Sequence, residues 1–239
     1  SVSGFNFTVI LVAGSPIRIK SLMTGTQVFP FYLLCDTSKS MSGERIKTIN
    51  EGLPEIQAEI LDDPIVVGKA RVSVISFSTE ANVDLPLARL DNVTMPVLKA
   101  GGQTNYAKGI ELARQQIETD MNRLMSEGFK VLRPCVFFLT DGRPGDSWKR
   151  VRDAWVDRSV NSFQPNIIGF GVANADEETL KRLATQFSFI ASDGVSPAAA
   201  LREVLRLVTV SIINSTRKGT MEFNLPLTEK YFRTIRSDE

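Results

Sequence analysis

Short, uninterrupted apolar segments alternate with amphipathic segments along most of this chain. VFPFYLLCD (28–36) and PCVFFLT (134–140) are almost wholly apolar, which is typical of strands that are buried on both faces of a sheet. Residues 45–61 instead carry their apolar side chains at the spacing of a helix. The alternation predicts an α/β domain of the doubly wound kind, with a mainly parallel central sheet and helices on both of its faces.

The same patterns set the expected elements and domain limits. The expected strands are 28–36, 70–78, 81–85, 134–140, 166–172 and 187–192, and the expected helices are 45–61, 106–127, 146–160, 176–184 and 197–213. We assign residues 28–215 to this domain, residues 1–27 to an N-terminal extension of open structure, and residues 216–239 to a polar C-terminal tail with a possible strand at 221–225. Doubly wound folds bind ligands at the carboxyl ends of their strands, so the loops there are the first candidates for a site.

The chain contains no histidine, which narrows its chemistry. Ser-His-Asp and Cys-His catalysis and histidine-ligated metals are excluded. The two cysteines, Cys35 and Cys135, are too few for a structural zinc site, and both lie in apolar runs, so we expect them to be buried thiols. A disulfide between them is not favoured by anything else in the sequence.

Charge and hydropathy point to no special partner surface. The formal net charge is +1, which favours neither nucleic acid nor an anionic membrane as a partner. No apolar run approaches the roughly 20 residues of a membrane span, and no basic segment precedes residues 7–14 as a signal peptide requires. The expectation is a cytoplasmic protein that binds neither nucleic acid nor membrane.

The loop after the first expected strand carries three oxygen-bearing side chains at every second position. Asp36, Ser38 and Ser40 lie in the segment D-T-S-K-S, and in extended backbone this spacing directs all three side chains to the same side. One carboxylate and two hydroxyls are hard oxygen ligands, which suit Mg²⁺ better than zinc or copper. The alternative is an Asx-turn that only leads into the next helix.

Two further loops carry matching groups. Thr104 lies in G-G-Q-T-N before the long helix, and Asp141 lies in T-D-G after the most apolar strand. Thr104 as a helix N-cap and Asp-Gly as a simple turn are the structural alternatives. Because each loop follows an expected strand, together they predict one divalent-cation site, for Mg²⁺ with Mn²⁺ or Ca²⁺ as possibilities. The small number of carboxylates argues against a high-affinity Ca²⁺ cage.

D-T-S-K-S, G-G-Q-T-N and T-D-G resemble the three parts of the metal-ion-dependent adhesion site (MIDAS) of von Willebrand factor A (VWA) domains. The resemblance covers about residues 28–215, and all five ligand positions are filled. It implies a Rossmann-like VWA fold in which Ser38, Ser40 and Thr104 contact the ion, while Asp36 and Asp141 act largely through water. FYLLCDTSKSM and CVFFLTDGRPGDSW are most similar to the bacterial tellurium-resistance (TerY-like) branch.

The function expected from this resemblance is a cation-dependent protein-interaction module without catalysis. The ion would hold an Asp or Glu carboxylate of a partner protein. The TerY-like resemblance implies a cytoplasmic stress-response or tellurite-resistance system, with kinase- or phosphatase-like proteins as partners.

Two alternatives remain at this point. One is a Mg²⁺-dependent phosphohydrolase or phosphotransferase with Asp36 as nucleophile. Such enzymes typically carry a second aspartate two positions on, where this chain has Ser38, and the absence of histidine leaves few other groups for proton transfer. The other alternative is a structural domain whose site is vestigial.

Overall fold

The computed structural model describes residues 25–145, 147–221 and 229–236. The strands among these residues are β1 (Gln27–Asp36), β2 (Ala70–Phe77), β3 (Ala81–Ala88), β4 (Lys130–Val131), β5 (Cys135–Thr140), β6 (Asn166–Gly171), β7 (Phe187–Ala191) and β8 (Phe232–Arg236). The helices are α1 (Glu44–Leu61), α2 (Pro64–Lys69), α3 (Tyr106–Ser126), α4 (Trp148–Val156), α5 (Glu177–Leu183) and α6 (Pro197–Lys218).

The described strands form one mixed sheet in the order β3-β2-β1-β5-β6-β7-β8, and β4 pairs with the start of β1. β1 pairs in parallel with β2 on one side and with β5 on the other. Both edges are antiparallel, because β3 runs against β2 and β8 runs against β7. The predicted doubly wound, mainly parallel sheet is therefore confirmed.

The central strand β1 supplies side chains to two separate cores. Phe31, Leu33 and Cys35 face the core that contains residues of α1 and α6. Tyr32 and Leu34 face the opposite core, which contains residues of α3 and α4. Successive residues of a strand point to opposite faces, so a continuous apolar run is what a sheet covered on both faces requires.

The chain order reverses between β1 and β5, which are neighbours in the sheet. From β1 the chain proceeds to β2 and β3 on one side, and it then crosses to β5 on the other. A crevice opens at such a reversal, outside the carboxyl ends of the two strands. Asp36 is the last residue of β1, and Asp141 directly follows β5, so both carboxylates lie at this position.

Some elements differ from the expected ones. Helix α2 was not expected, although Asp63 caps it by accepting from the N–H groups of Ile65 and Val66 and Pro64 occupies its first turn, a typical start signal. Strand β4 was not expected either. The segment assigned to a polar tail contributes the end of α6 and the edge strand β8. Residues 1–24, and nearly all of the possible strand at 221–225, lie outside the described residues.

Cys35 and Cys135 are buried free thiols, as expected. Burial raises the pKa of the Cys35 thiol to about 12, so it stays protonated and unreactive at neutral pH. None of the helices in the described part of the chain combines the length and the apolar character that a membrane span needs.

Candidate metal centre

The loop after β1 folds back on itself through the Asp36 side chain. The backbone N–H of Ser38 donates to Asp36 Oδ1 at 2.8 Å, which is the Asx-turn that the sequence offered as an alternative. The turn also brings the Ser38 and Ser40 hydroxyl oxygens to 3.0 Å from each other. The Asx-turn and the predicted convergence of hydroxyls therefore do not exclude each other, because the turn brings the two hydroxyl groups together.

The end of β5 and the loop after it join this group through one side chain each, Thr140 and Asp141. The Ser40 hydroxyl donates to Asp141 Oδ1 at 2.7 Å. The Thr140 hydroxyl donates to Asp36 Oδ2 at 2.7 Å, and the Tyr106 hydroxyl lies 2.9 Å from Thr140 Oγ1 as a donor to it. A buried chain of hydroxyl groups therefore supports the Asp36 carboxylate, and the role of Tyr106 in this chain was not expected from the sequence.

Thr104 comes from the loop before α3. Its expected alternative role as N-cap is wrong, because Asn105 caps α3 and accepts from the N–H of Lys108 at 3.1 Å. A Cβ built at Gly142 would lie 3.3 Å from Thr104 Oγ1 and 4.0 Å from Asp36 Oδ2. The Thr104 hydroxyl therefore lies beside the other donors, across a space that the absence of a side chain at Gly142 leaves open.

Backbone hydrogen bonds fasten the first two loops together. The N–H of Lys39 donates to the carbonyl of Gly102 at 3.0 Å, and the N–H of Gly101 donates to the carbonyl of Thr37 at 2.8 Å. Gly102 has φ +79°, in the left-handed region that glycine adopts without strain. These two bonds hold the loop that carries Thr104 against the loop that carries Ser38 and Ser40.

The site has a buried floor and an exposed rim. Asp36, Ser38 and Asp141 are 0%, 2% and 1% exposed, whereas Ser40 is exposed. Burial raises the pKa of Asp36 and the nearby Asp141 charge adds to this, while hydrogen bonds from Ser38 and Thr140 offset it in part. Two carboxylates in one buried place favour the binding of a cation there.

Arg45, in the first turn of α1, supplies a positive charge at the rim. Its guanidinium donates to Asp141 Oδ2 at 2.5 Å and to the Ser40 carbonyl at 2.7 Å. Its side chain is 27% exposed, and that of Asp141 is 0% exposed. Arg45 was not among the residues expected from the sequence, because no motif relates it to Asp141.

The donor set fits a hard divalent cation. Hydrogen bonds join Asp36 and Asp141 to Ser38 and Ser40 at one corner of the sheet, and the Thr104 hydroxyl lies on the other side of Gly142 from Asp36. Oxygen donors with few carboxylates suit Mg²⁺ or Mn²⁺ better than a softer metal. Of the five residues predicted from the sequence, Asp36, Ser38, Ser40 and Asp141 are connected by hydrogen bonds, and Thr104 approaches them across Gly142.

Fold and site together define a doubly wound α/β domain with a hydroxyl-rich oxygen site at the point where its strand order reverses. The model of the von Willebrand factor type A domain matches residues 31–201, most of the chain. The chain belongs to this family. A comparison with curated proteins gave no match.

Solved structures share the fold at low sequence identity. The pilus adhesin SpaC from Lactobacillus rhamnosus GG aligns with a TM-score of 0.60 at 13% identity, over 80% of this chain and 31% of its own. The ArnB paralog VWA2 from Sulfolobus acidocaldarius aligns with a TM-score of 0.56 at 16% identity, over 77% of this chain and 46% of its own.

Proximal thread matrix protein 1 of the mussel byssus, in a structure with a zinc-occupied MIDAS motif, aligns with a TM-score of 0.55 at 15% identity, over 79% of this chain and 48% of its own. The chain therefore spans less than half the length of each of these three proteins. At these identities the likeness establishes the fold.

Proposed function

We propose that this domain is a divalent-cation-dependent protein-interaction module that binds a carboxylate of a partner protein. The observation that carries the proposal is the set of hydrogen bonds that joins two buried carboxylates to Ser38 and to Ser40 on the exposed rim, with the Thr104 hydroxyl across Gly142. The residues that would hold the ion are Asp36, Ser38, Ser40, Thr104 and Asp141. The zinc-occupied MIDAS of the mussel protein, which has the same fold, supports this use of the site.

The five residues have two roles, which follow from whether the side chain is neutral or charged. Ser38, Ser40 and Thr104 supply neutral oxygen donors. Asp36 accepts from the Ser38 backbone N–H and Asp141 accepts from the Ser40 hydroxyl, so the two carboxylates hold the first loop in place and balance the charge of the ion. A bound Mg²⁺ whose nearest donors are neutral stays electrophilic and attracts an anionic ligand. A partner's Asp or Glu side chain fits that requirement, because it offers a hard, charged oxygen at a protein surface.

The geometry gives less support to phosphoryl transfer. Asp36, the nucleophile in that alternative, is 0% exposed, and both of its carboxylate oxygens accept hydrogen bonds. A nucleophile must reach within about 3–3.5 Å of the reacting atom, in line with the bond that breaks. Interaction without catalysis is therefore the function we propose.

Cation binding is tested first, by calorimetric titration of the protein with Mg²⁺ and with Mn²⁺. We expect one ion per chain for the wild type and none for Asp36→Ala. Asp62→Ala is the matched control, because Asp62 is an exposed aspartate at the end of α1. If the wild type binds neither Mg²⁺ nor Mn²⁺, the site is vestigial and the proposed function is wrong.

Partner binding is tested by capture from a lysate of the source organism, with Mg²⁺ present or replaced by EDTA. We expect a partner that binds the wild type only with Mg²⁺ and does not bind Asp36→Ala. Replacing the partner's acidic residues in the contact one by one should then identify a single carboxylate that binding requires. Capture that is indifferent to both EDTA and the substitution would contradict the proposal.

The cellular context rests on sequence resemblance alone. The segments FYLLCDTSKSM and CVFFLTDGRPGDSW support a role in a bacterial tellurite-resistance or stress-response system of the TerY-like kind. We propose a cytoplasmic location and kinase- or phosphatase-like partners on the same basis. Growth of a deletion strain on tellurite, with and without the Asp36→Ala protein, tests this context.

A further inference from the structure

Arg45 holds a position that its helix does not favour. It lies in the first turn of α1, where the helix dipole is positive and a cation is disfavoured. Its guanidinium nevertheless bonds to the Asp141 carboxylate and to the Ser40 carbonyl. The attraction of Asp141, and not the helix, keeps Arg45 there.

Arg45 supplies the positive charge that the two buried carboxylates lack. Asp36 accepts hydrogen bonds from the neutral N–H of Ser38 and hydroxyl of Thr140, whereas Asp141 pairs with the guanidinium. The formal charge of the two carboxylates is −2, and with Arg45 it becomes −1. The pair is therefore partly neutralised by the protein's own side chain.

A divalent cation entering this site meets two obstacles. The guanidinium repels it, and the Oδ2 atom of Asp141 is already engaged with Arg45. The repulsion is large at such short range, since the site is screened from water on the side of the sheet. Removing the Arg45 charge should therefore strengthen cation binding.

We propose that Arg45 is a built-in competitor that weakens the affinity of the site for divalent cations. This inference rests on the metal site proposed above and deepens it. The ion would be held firmly once a partner carboxylate adds its own negative charge, so loading of the metal and binding of the partner are coupled. Asp141 is the residue for which Arg45 and the ion compete.

A role for Arg45 in orienting Asp141 would have the opposite effect on cation affinity, so the two roles can be distinguished by experiment. If Arg45 mainly orients Asp141 toward the ion, its removal would loosen Asp141 and weaken metal binding. The two roles therefore predict opposite changes in affinity.

The experiment is a calorimetric titration of the full chain with Mn²⁺ and Mg²⁺, for the wild type and three variants. Arg45→Gln removes the charge, and we expect about tenfold tighter binding. Arg45→Lys keeps the charge and should stay within about threefold of the wild type. Lys47→Gln removes a charge from the exposed face of α1, where Lys47 contacts Glu44 and Glu51, and should stay within about twofold.

The same samples are melted with and without saturating Mg²⁺. This readout covers the case in which Arg45→Gln is only marginally folded without metal, because it compares folded with unfolded protein directly. We expect Mg²⁺ to raise the melting temperature of Arg45→Gln more than that of the wild type. An equal or smaller rise, or equal or weaker binding in the titration, overturns the competitor role.

The outcomes separate this inference from the proposed function. Binding by the wild type with no gain in Arg45→Gln overturns the inference and leaves the metal site standing. Binding by Arg45→Gln alone supports both. An equal gain in cation affinity in Lys47→Gln would show a general charge effect and overturn the role assigned to the Arg45 contact. Absence of cation binding in the wild type and in every variant overturns both proposals.

Discussion

The two carboxylates of the site belong to one cluster of hydrogen bonds, yet different kinds of partner hold them. The inner half of the site consists of Asp36, Thr140 and Tyr106, which are buried and joined by neutral donors. The rim half consists of Asp141, Ser40 and Arg45, where an ion pair reaches the surface. Neutral hydrogen bonds therefore fix one carboxylate, whereas an ion pair holds the other.

The largest expected effect is the contrast between Asp36→Asn and Asp141→Asn. Both should weaken Mg²⁺ binding by about 100-fold, because both remove a carboxylate that supports the ion's ligands. Without metal their effects should differ. Asp36→Asn removes a buried charge held by neutral donors and should keep or raise the melting temperature, whereas Asp141→Asn leaves Arg45 unpaired and should cost about 1–2 kcal/mol of stability.

Calorimetric titration and thermal melts measure these two effects. Asp62→Asn, at the exposed end of α1, is the control for loss of an aspartate charge. Equal destabilisation by the two substitutions would remove the distinction between the halves.

Thr140→Val tests whether the inner half is fixed by its hydroxyl chain. Thr140 Oγ1 donates to Asp36 Oδ2 and accepts from the Tyr106 hydroxyl, so valine removes a hydrogen-bond donor from a buried carboxylate and one acceptor from Tyr106. We expect a loss of about 1–3 kcal/mol in the free energy of unfolding, measured in urea without metal. Thr140→Ser keeps the hydroxyl and should lose less unfolding free energy. If Thr140→Val is as stable as Thr140→Ser, the hydroxyl chain does not stabilise the fold.

Gly142→Ala adds one methyl group between Thr104 and the Asp36 carboxylate of the inner half. Its Cβ would lie 3.3 Å from Thr104 Oγ1, closer than nearly all real contacts of this kind, so the hydroxyl must shift. We expect a few-fold weaker Mn²⁺ affinity with little change in fold. Gly145→Ala is the matched control, because a Cβ there meets nothing within 4 Å, and a similar loss in this control would show that general stiffening of the loop is the cause.

The smallest effect is a pH dependence of the metal-free protein. Because burial raises the pKa of Asp36, the folded state binds a proton more readily than the unfolded state. Asp36 therefore contributes stability at low pH, and this is lost as the pH rises from the ordinary aspartate range through the raised pKa. The unfolding free energy of the wild type relative to Asp36→Asn should fall over that window in urea titrations, and a relative stability that rises instead would contradict the raised pKa.

Much of the fold was predictable because it depends on local patterns. Continuous apolar strands and helical periodicity gave the doubly wound sheet, and the motif loops followed because parallel strands bring their carboxyl ends to one edge. The edge strand β8 was missed, since FRTIR has few apolar residues and gains its place by pairing with β7. The signal for α2, an aspartate followed by proline, was present but unused.

In the candidate site too, local sequence patterns indicated some residues, and contacts across the fold determined the role of others. The five proposed ligands were found from spacing, because each lies in a short motif at a strand end or beside a helix start. Arg45 and Tyr106 were missed because their roles depend on contacts with Asp141 and Thr140, 96 and 34 residues away along the chain. Spacing identifies groups that share a loop, whereas groups that meet across the fold require the tertiary structure.

The paired backbone bonds between the first two ligand loops carry a kinetic consequence. Because Lys39 and Gly101 each donate to the other loop, these loops need no ordering when an ion arrives. The rate of loading should then depend on how fast the ion sheds its water, and Mg²⁺ is reluctant to do so. We therefore expect Mn²⁺ to bind faster than Mg²⁺. The heat-capacity change of binding should be small for both ions, because no segment of the chain folds when the ion binds.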